Sequence, residues 1–112
     1  MPGPQEPLNT WNETQAGTDS GATAEHDADP GRTHVVRHIS GHTDADALIQ
    51  ILGGSDGATV VWQTKIDVSA NGEGFVINLA DGIIGEQGIK VGGKVDTSTA
   101  DCQINIAGYS FP

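Results

Sequence analysis

The sequence predicts an all-β protein: an antiparallel β-sandwich of jelly-roll type, with six to seven strands and an extended N-terminal arm in front of them. The first ground is alternation. Across residues 58–67 the even positions (Ala58, Val60, Trp62, Thr64, Ile66) are mostly apolar and the odd ones (Thr59, Val61, Gln63, Lys65, Asp67) mostly polar. That period of two buries one face of a strand and leaves the other wet or against a partner. The second ground is punctuation, since clusters of Gly, Asp, Asn and Ser recur between runs of five to ten residues, as they do in sandwiches and small barrels. The third is that no stretch spaces its apolar residues by three and four, as a helix would.

Residues 1–31 are set apart by composition. They hold four of the five prolines (Pro2, Pro4, Pro7, Pro30), six acids and no Lys or Arg. Leu8 and Trp11 are their large apolar side chains beyond the initial methionine. A segment so poor in apolar surface does not offset the entropy of its own ordering. It is therefore expected to be a disordered arm in isolation, with Leu8 and Trp11 as its anchors on a partner. Fully extended, its 31 residues would reach on the order of 100 Å.

The sandwich itself is expected over residues 32–112. Residues 32–40 form a strand with Val35 and Ile39 on one face and His34, Val36 and His38 on the other, followed by a turn at 41–44. Ala47, Ile49 and Ile51 line one face of the next strand, while Leu48 and Leu52 occupy the opposite face, as in a central strand or an interface. Residues 53–57 are a hairpin loop leading into the 58–67 strand. Residues 69–74 make the next reversal, with Asn71-Gly72 suited to positive φ. Phe75, Ile77 and Leu79 then face inward opposite Val76 and Asn78, and a loop at 81–88 offers Ile83 and Ile84 as a plug for one end of the core. Ile89, Val91 and Val95 alternate with Lys90, Lys94 and Asp96. In the last strand Cys102, Ile104 and Ile106 point in, Gln103 and Asn105 out.

Charge narrows the partners. Lys and Arg total 5 against 15 Asp and Glu, a net charge of −10. Such a chain is repelled by phosphate backbones and anionic lipid, so neither nucleic acid nor a membrane is expected as a partner. No apolar run approaches the roughly 18 residues that cross a bilayer. The acidity fits solubility, or docking on a basic protein surface. The opening residues lack the positive start and apolar run of a secretion signal, and synthesis in the cytoplasm is the expectation. A single cysteine, Cys102, permits no disulfide within the chain.

No catalytic constellation is legible. His34 and His38 share strand parity but would stand roughly 13 Å apart, too far to share a metal ion. His42 with Asp44 and Asp46 lacks the Asp/Asn–Gly loop of a calcium hand, and reads as a solvated turn, as does His26-Asp27 in the arm. Cys102 falls on an apolar face, where a thiol behaves as a small hydrophobe. Neither Gly53-Gly54 nor Gly92-Gly93 opens a phosphate-binding loop. The expectation is a non-enzymatic protein with no catalytic residue, cofactor or metal. On residue grounds a sugar-binding module is the strongest alternative, but aromatics are 4% of the chain, Trp62 falls inward, and Tyr109 has no clear companion.

Residues 54–109, GSDGATVVWQTKIDVSANGEGFVINLADGIIGEQGIKVGGKVDTSTADCQINIAGY, have a recognisable order. A Gly/Asp turn enters a long strand, a GEGF hairpin opens on an aromatic, and a glycine-bounded apolar loop leads to a final strand ending NIAGY. This order resembles the small β-sandwich domains of tailed-phage virion proteins, in particular capsid decoration (cement) proteins. The resemblance implies a protein of the virion's capsid surface, made in the host cytoplasm, that binds outside the major capsid protein lattice and stabilises the shell. It further implies a homotrimer and an N-terminal arm that clamps neighbouring subunits, ordering as it binds. On that pattern Leu8 and Trp11 are the anchors of the arm, and Leu48 and Leu52 are candidates for contact between copies. The charge of −10 would oppose close packing of copies unless the acids point away from it. A tail or fibre component, or a carbohydrate-binding module, are the alternatives.

Overall fold

The computed structural model describes residues 9–18, 20–68, 72–97 and 101–112. They form eight strands: β1 (Asn9–Gly17), β2 (Ala22–His26), β3 (Thr33–Thr43), β4 (Ala47–Gly53), β5 (Thr59–Ile66), β6 (Glu73–Ile84), β7 (Val91–Asp96) and β8 (Cys102–Phe111). Two four-stranded antiparallel sheets result, ordered β1-β8-β3-β6 and β2-β7-β4-β5. The pairings are nested. β4 pairs with β5, β3 with β6, β2 with β7, and β1 with β8. The chain is thus a ribbon doubled at its midpoint and rolled up, with successive pairs falling in alternate sheets. That is the jelly roll, with eight strands where the punctuation of the sequence shows six or seven.

The two additional strands come from the segment expected to be a disordered arm. β1 follows β8 without a break from Asn9 opposite Ser110 to Gly17 opposite Cys102. β2 follows β7 from Ala22 opposite Val95 to His26 opposite Val91. Residues 9–26 therefore contribute strands to the sandwich instead of lying outside it. Two features order them with Trp11 as their one large apolar side chain. Their backbone groups complete ladders that β8 and β7 would otherwise leave open, and Ala22 and Ala24, 5% and 3% exposed, join the core. Leu8 lies outside the described residues.

The core lies between the sheets, built on Val36, Ile39, Ile49, Ile51, Val91, Val95, Ile104 and Ile106. Glycine admits this packing at Gly93, where an added Cβ would stand 2.3 Å from Ile106 Cγ2 on the facing sheet. Gly108 does the same within the first sheet, where a Cβ would meet the Val35 carbonyl oxygen at 1.8 Å.

Two irregularities correct the expected parity. In β3 the pairing skips Arg37: Val36 lies opposite Gly108 and Ile83, while His38 lies opposite Ala107 and Asn78. The extra residue shifts the phase, so Val36 and Ile39 both enter the core although three apart. For the same reason His34 points inward and His38 outward. On β6, residues 79–82 bow out opposite that bulge, and the strand resumes at Ile83 and Ile84 in place of the expected loop. Ile83 packs on the core while Ile84 stays exposed. In β5 a second slip leaves Val61 unpaired with β4, because Ile51 faces Trp62 and Leu52 faces Val60. Trp62 and Ile66 still reach the core as the alternation requires, but β5 is the edge of its sheet and leaves both valines exposed.

The midpoint turn is chemically specified. Gly54 and Gly57 adopt φ of +75° and +70°, where residues with a Cβ are strained. Asp56 Oδ1 accepts hydrogen bonds from the Ala58 and Thr59 amides at 2.9 and 3.1 Å and from the Thr59 hydroxyl at 3.0 Å. The Ala58 N–H is the largest cause holding this carboxyl below its ordinary value of 3.8. Gly72, in the next reversal, has φ of +80° as expected, while Asn71 lies outside the described residues.

Two outcomes follow from this architecture. A chain beginning at Arg32 lacks β1 and β2 and is expected to show no cooperative thermal unfolding by circular dichroism, whereas the full chain does. Asp56→Ala lowers the thermal midpoint at neutral pH. The folded carboxyl releases its proton more readily than the unfolded one, so its contribution is complete above the ordinary carboxylate range. It is lost as pH falls through the lowered value, and the two melting curves converge below pH 3.8.

Candidate functional site

Where β1 and β2 meet, rings close the sandwich. Trp11 of β1 stacks on His26 of β2 with centroids 4.3 Å apart and planes 7° from parallel. The His34 ring of β3 stands edge-on to both, at 6.0 and 4.4 Å. A hydrogen-bond chain runs beneath them. Trp11 Nε1–H donates to Ser110 Oγ at 3.1 Å, the Ser110 hydroxyl meets His34 Nδ1, and His34 Nε2–H donates to the Asp27 carbonyl at 2.8 Å. His26 Nδ1 bonds Glu13 Oε2 at 3.0 Å. Ser110 and His34 are 2% and 0% exposed, so no substrate reaches this serine–histidine pair, and its role is structural. His26 is correspondingly no solvated turn residue: it is a half-buried part of the seal.

The other residues expected at the site are scattered. Trp11 is engaged in its own sandwich. Leu52 is 8% exposed and lies beside Gly92, while Leu48 on the same face is half-buried. Leu52 thus has little surface to offer another copy. The Cys102 thiol is buried, which pushes its pKa up, and it donates to the Ser20 carbonyl at 3.3 Å. His42, still within β3 where a turn is expected, and Asp44 just beyond it contact each other at 3.4 Å, both exposed. Among the described residues no three His, Cys, Asp or Glu side chains converge to hold a metal ion.

The outer surfaces of the two sheets differ in kind. On or beside the β2-β7-β4-β5 face lie all three lysines of the chain, each paired with an acid: Lys65–Asp67 at 3.3 Å, Lys90–Glu25 at 2.8 Å and Lys94–Asp96 at 3.9 Å. The bond to Glu25 raises the pKa of Lys90. Among the described residues, the middle of the outer β1-β8-β3-β6 face carries no carboxylate, and Asp81 sits exposed on the bowed-out stretch of β6. The central rows of the face run Thr14, Asn105, Ser40, Val76 and then Asn12, Ala107, His38, Asn78 across the four strands. Thr14 Oγ1 donates to Asn105 Oδ1 at 2.8 Å, Asn105 Nδ2 donates to Ser40 Oγ at 3.4 Å, and His38 Nδ1 bonds Asn78 Oδ1 at 2.7 Å. At one end Tyr109 lies 6.4 Å from Phe111, its companion on the same face, with the Arg37 guanidinium 6.0 Å from the Tyr109 ring. Arg37 is held there by its Nε–H bond to the Leu79 carbonyl at 3.2 Å.

A second feature is the edge opposite the ring seal, where β5 and β6 each end a sheet. Among the described residues, the large hydrophobic side chains left exposed are Val60 (43%) and Val61 (46%) on β5 and Val76 (68%) and Ile84 (63%) on β6. All four sit on these two unpaired edge strands. Parity in the sequence places Val76 outward, but it does not show that β5 and β6 share an edge.

Fold and surface together define an eight-stranded jelly-roll protein with one sealed edge, one apolar open edge, and two chemically distinct faces. No protein-family model matches the chain, and no significant match is found among curated proteins or solved structures.

The ring seal has a measurable signature. Trp11→Ala removes a stacked, half-buried ring and leaves the Ser110–His34 pair without its third partner. It is expected to cost about 3 kcal/mol in denaturant unfolding, whereas Trp11→Phe, which keeps the stack and loses the N–H bond, costs about 1 kcal/mol.

Proposed function

We propose that this chain is a non-enzymatic virion structural protein, a capsid decoration protein that binds outside the major capsid protein lattice and stiffens the shell. The observation that carries it is the β5/β6 edge. Two unpaired strands hold every exposed large hydrophobic side chain among the described residues, and an apolar strand edge is a template for pairing with another chain. The resemblance of residues 54–109 to decoration proteins supplies the biological setting, and the jelly roll is an architecture that capsid proteins use. Attachment runs through this edge, and residues 9–17 and 22–26, as strands of the body, are not free to clamp a neighbour.

In this reading the protein is a homotrimer, synthesised in the host cytoplasm and assembled on the capsid surface. The charge of −10 is compatible with attachment through the β5/β6 edge because that edge carries valine and isoleucine, with Lys65 beside it paired to Asp67. Neither nucleic acid nor membrane is a partner.

Sedimentation of the purified protein with expanded capsids tests this. The full chain is expected to pellet with shells to a saturating ratio and to have a trimer mass in solution. Val60→Asp combined with Ile84→Asp is expected to weaken shell binding by at least tenfold while the circular dichroism spectrum is kept. A folded protein that ignores capsids, or a double variant that binds them as well as the parent, overturns it.

A further inference from the structure

We infer that the outer face of β1-β8-β3-β6 is a binding platform for an uncharged glycan. The starting observation is where the acids are not. A chain with 15 Asp and Glu places none, among the described residues, in the two central rows of these four strands, Asp81 lying on the bowed-out stretch of β6, and it gathers its lysine–acid pairs on the opposite face. Solubility does not require that segregation, since acids on either face would serve it equally.

What occupies the face instead is a sheet of neutral donors and acceptors, already ordered among themselves. Thr14 and Asn105 are bonded at 2.8 Å, Asn105 and Ser40 at 3.4 Å, and His38 and Asn78 at 2.7 Å. Each retains capacity. The Asn78 amide has two N–H groups to give, the Ser40 hydroxyl has its hydrogen, and His38 Nε2 faces away from its Asn78 bond. Sugar hydroxyls donate and accept at once, and they match such a grid of amides, hydroxyls and imidazole. Side chains that hold one another in place lose little further entropy when a ligand binds. The four strands, about 4.8 Å apart, offer a flat surface about 14 Å across. Tyr109, at the margin, supplies the aromatic ring on which a pyranose stacks.

The same chemistry disfavours other occupants. A protein interface needs an apolar centre, and on the inner strands β8 and β3 the central rows hold only the Ala107 methyl among polar side chains, exposed Val76 lying at the end of its row on β6. An acidic polymer needs a basic surface, and apart from Arg37, which lies against Tyr109 and the Leu79 carbonyl, the face carries two imidazoles. The apolar β5/β6 edge borders this face at Val76 and Ile84, so a copy held there leaves the rows on β1, β8 and β3 presented. The inference stands whether or not the shell-binding reading does.

Affinity electrophoresis of the full chain through gels containing neutral polysaccharides (a glucan, a mannan, a galactan) or polygalacturonate tests it. Retardation by at least one neutral polymer is expected, unchanged by added salt because no ion pair forms, with none by polygalacturonate. Asn105→Asp, nearly isosteric, places a carboxylate in the grid and is expected to weaken retardation about tenfold, as is Tyr109→Ala, which removes the stacking ring. Both variants are to keep the parent's thermal midpoint within a few degrees and its capsid binding. Val60→Asp, on β5 of the other sheet, is to weaken capsid binding and keep the glycan. No retardation by any neutral polymer overturns the inference, as does preference for the acidic one or indifference of both face variants while folded. It is overturned equally if Asn105→Asp dissociates an oligomer or abolishes capsid binding, either of which would make the face a protein contact.

Discussion

Everything in this fold hangs on the nesting of strand pairs about the turn at residues 54–57. Once that turn is made, each strand before it has its ladder partner at the mirrored distance after it, and the span between partners grows outward to the pairing of Asn9 with Ser110. The turn is correspondingly over-specified, with two glycines at positive φ and one carboxylate bonded to two amides and a hydroxyl. Only the innermost pair is local. The others close long loops, so their entropy is lost before their contacts form, which makes this a slow-folding topology.

A rolled ribbon has two open edges, and the protein treats them differently. At β1/β2 the gap between sheets is filled by stacked rings and a chain of hydrogen bonds that ends on a backbone carbonyl. That edge is shut. At β5/β6 valine and isoleucine side chains remain exposed beyond the core. An exposed apolar edge is a hazard for a free monomer and a resource for one that lives among copies. The contrast between the faces adds a second asymmetry. One carries ion pairs, which contribute little to stability at a surface, and the other carries neutral groups that hold each other in register. The body thus has one apolar edge and one face with a neutral centre.

The bulge at Arg37 links these features. By adding one residue it turns His34 into the seal and His38 onto the platform, two roles that uninterrupted alternation would not separate. It also draws residues 79–82 out of the sheet, and it leaves the Arg37 side chain to steady Tyr109.

Alternation and turn residues by themselves determined the all-β class, the hairpin at 54–57, the inward faces of β6, β7 and β8, and the burial of Trp62 and Cys102. All of these are local consequences of a side-chain period of two and of glycine at positive φ. They could not determine that residues 9–26 are strands. Sequences such as NTWNETQAG and ATAEH have too few apolar side chains to order themselves, and their stability comes from backbone ladders offered by β8 and β7. Nor is a bulge visible along one strand, because it is a relation between two, and so the sides of His34 and His38 stayed hidden. The uncharged platform was half legible, in the outward Gln103 and Asn105 and the outward Asn78. It took the tertiary structure to set Thr14, Asn105, Ser40 and His38 side by side, since strands distant in sequence become neighbours only when the ribbon rolls.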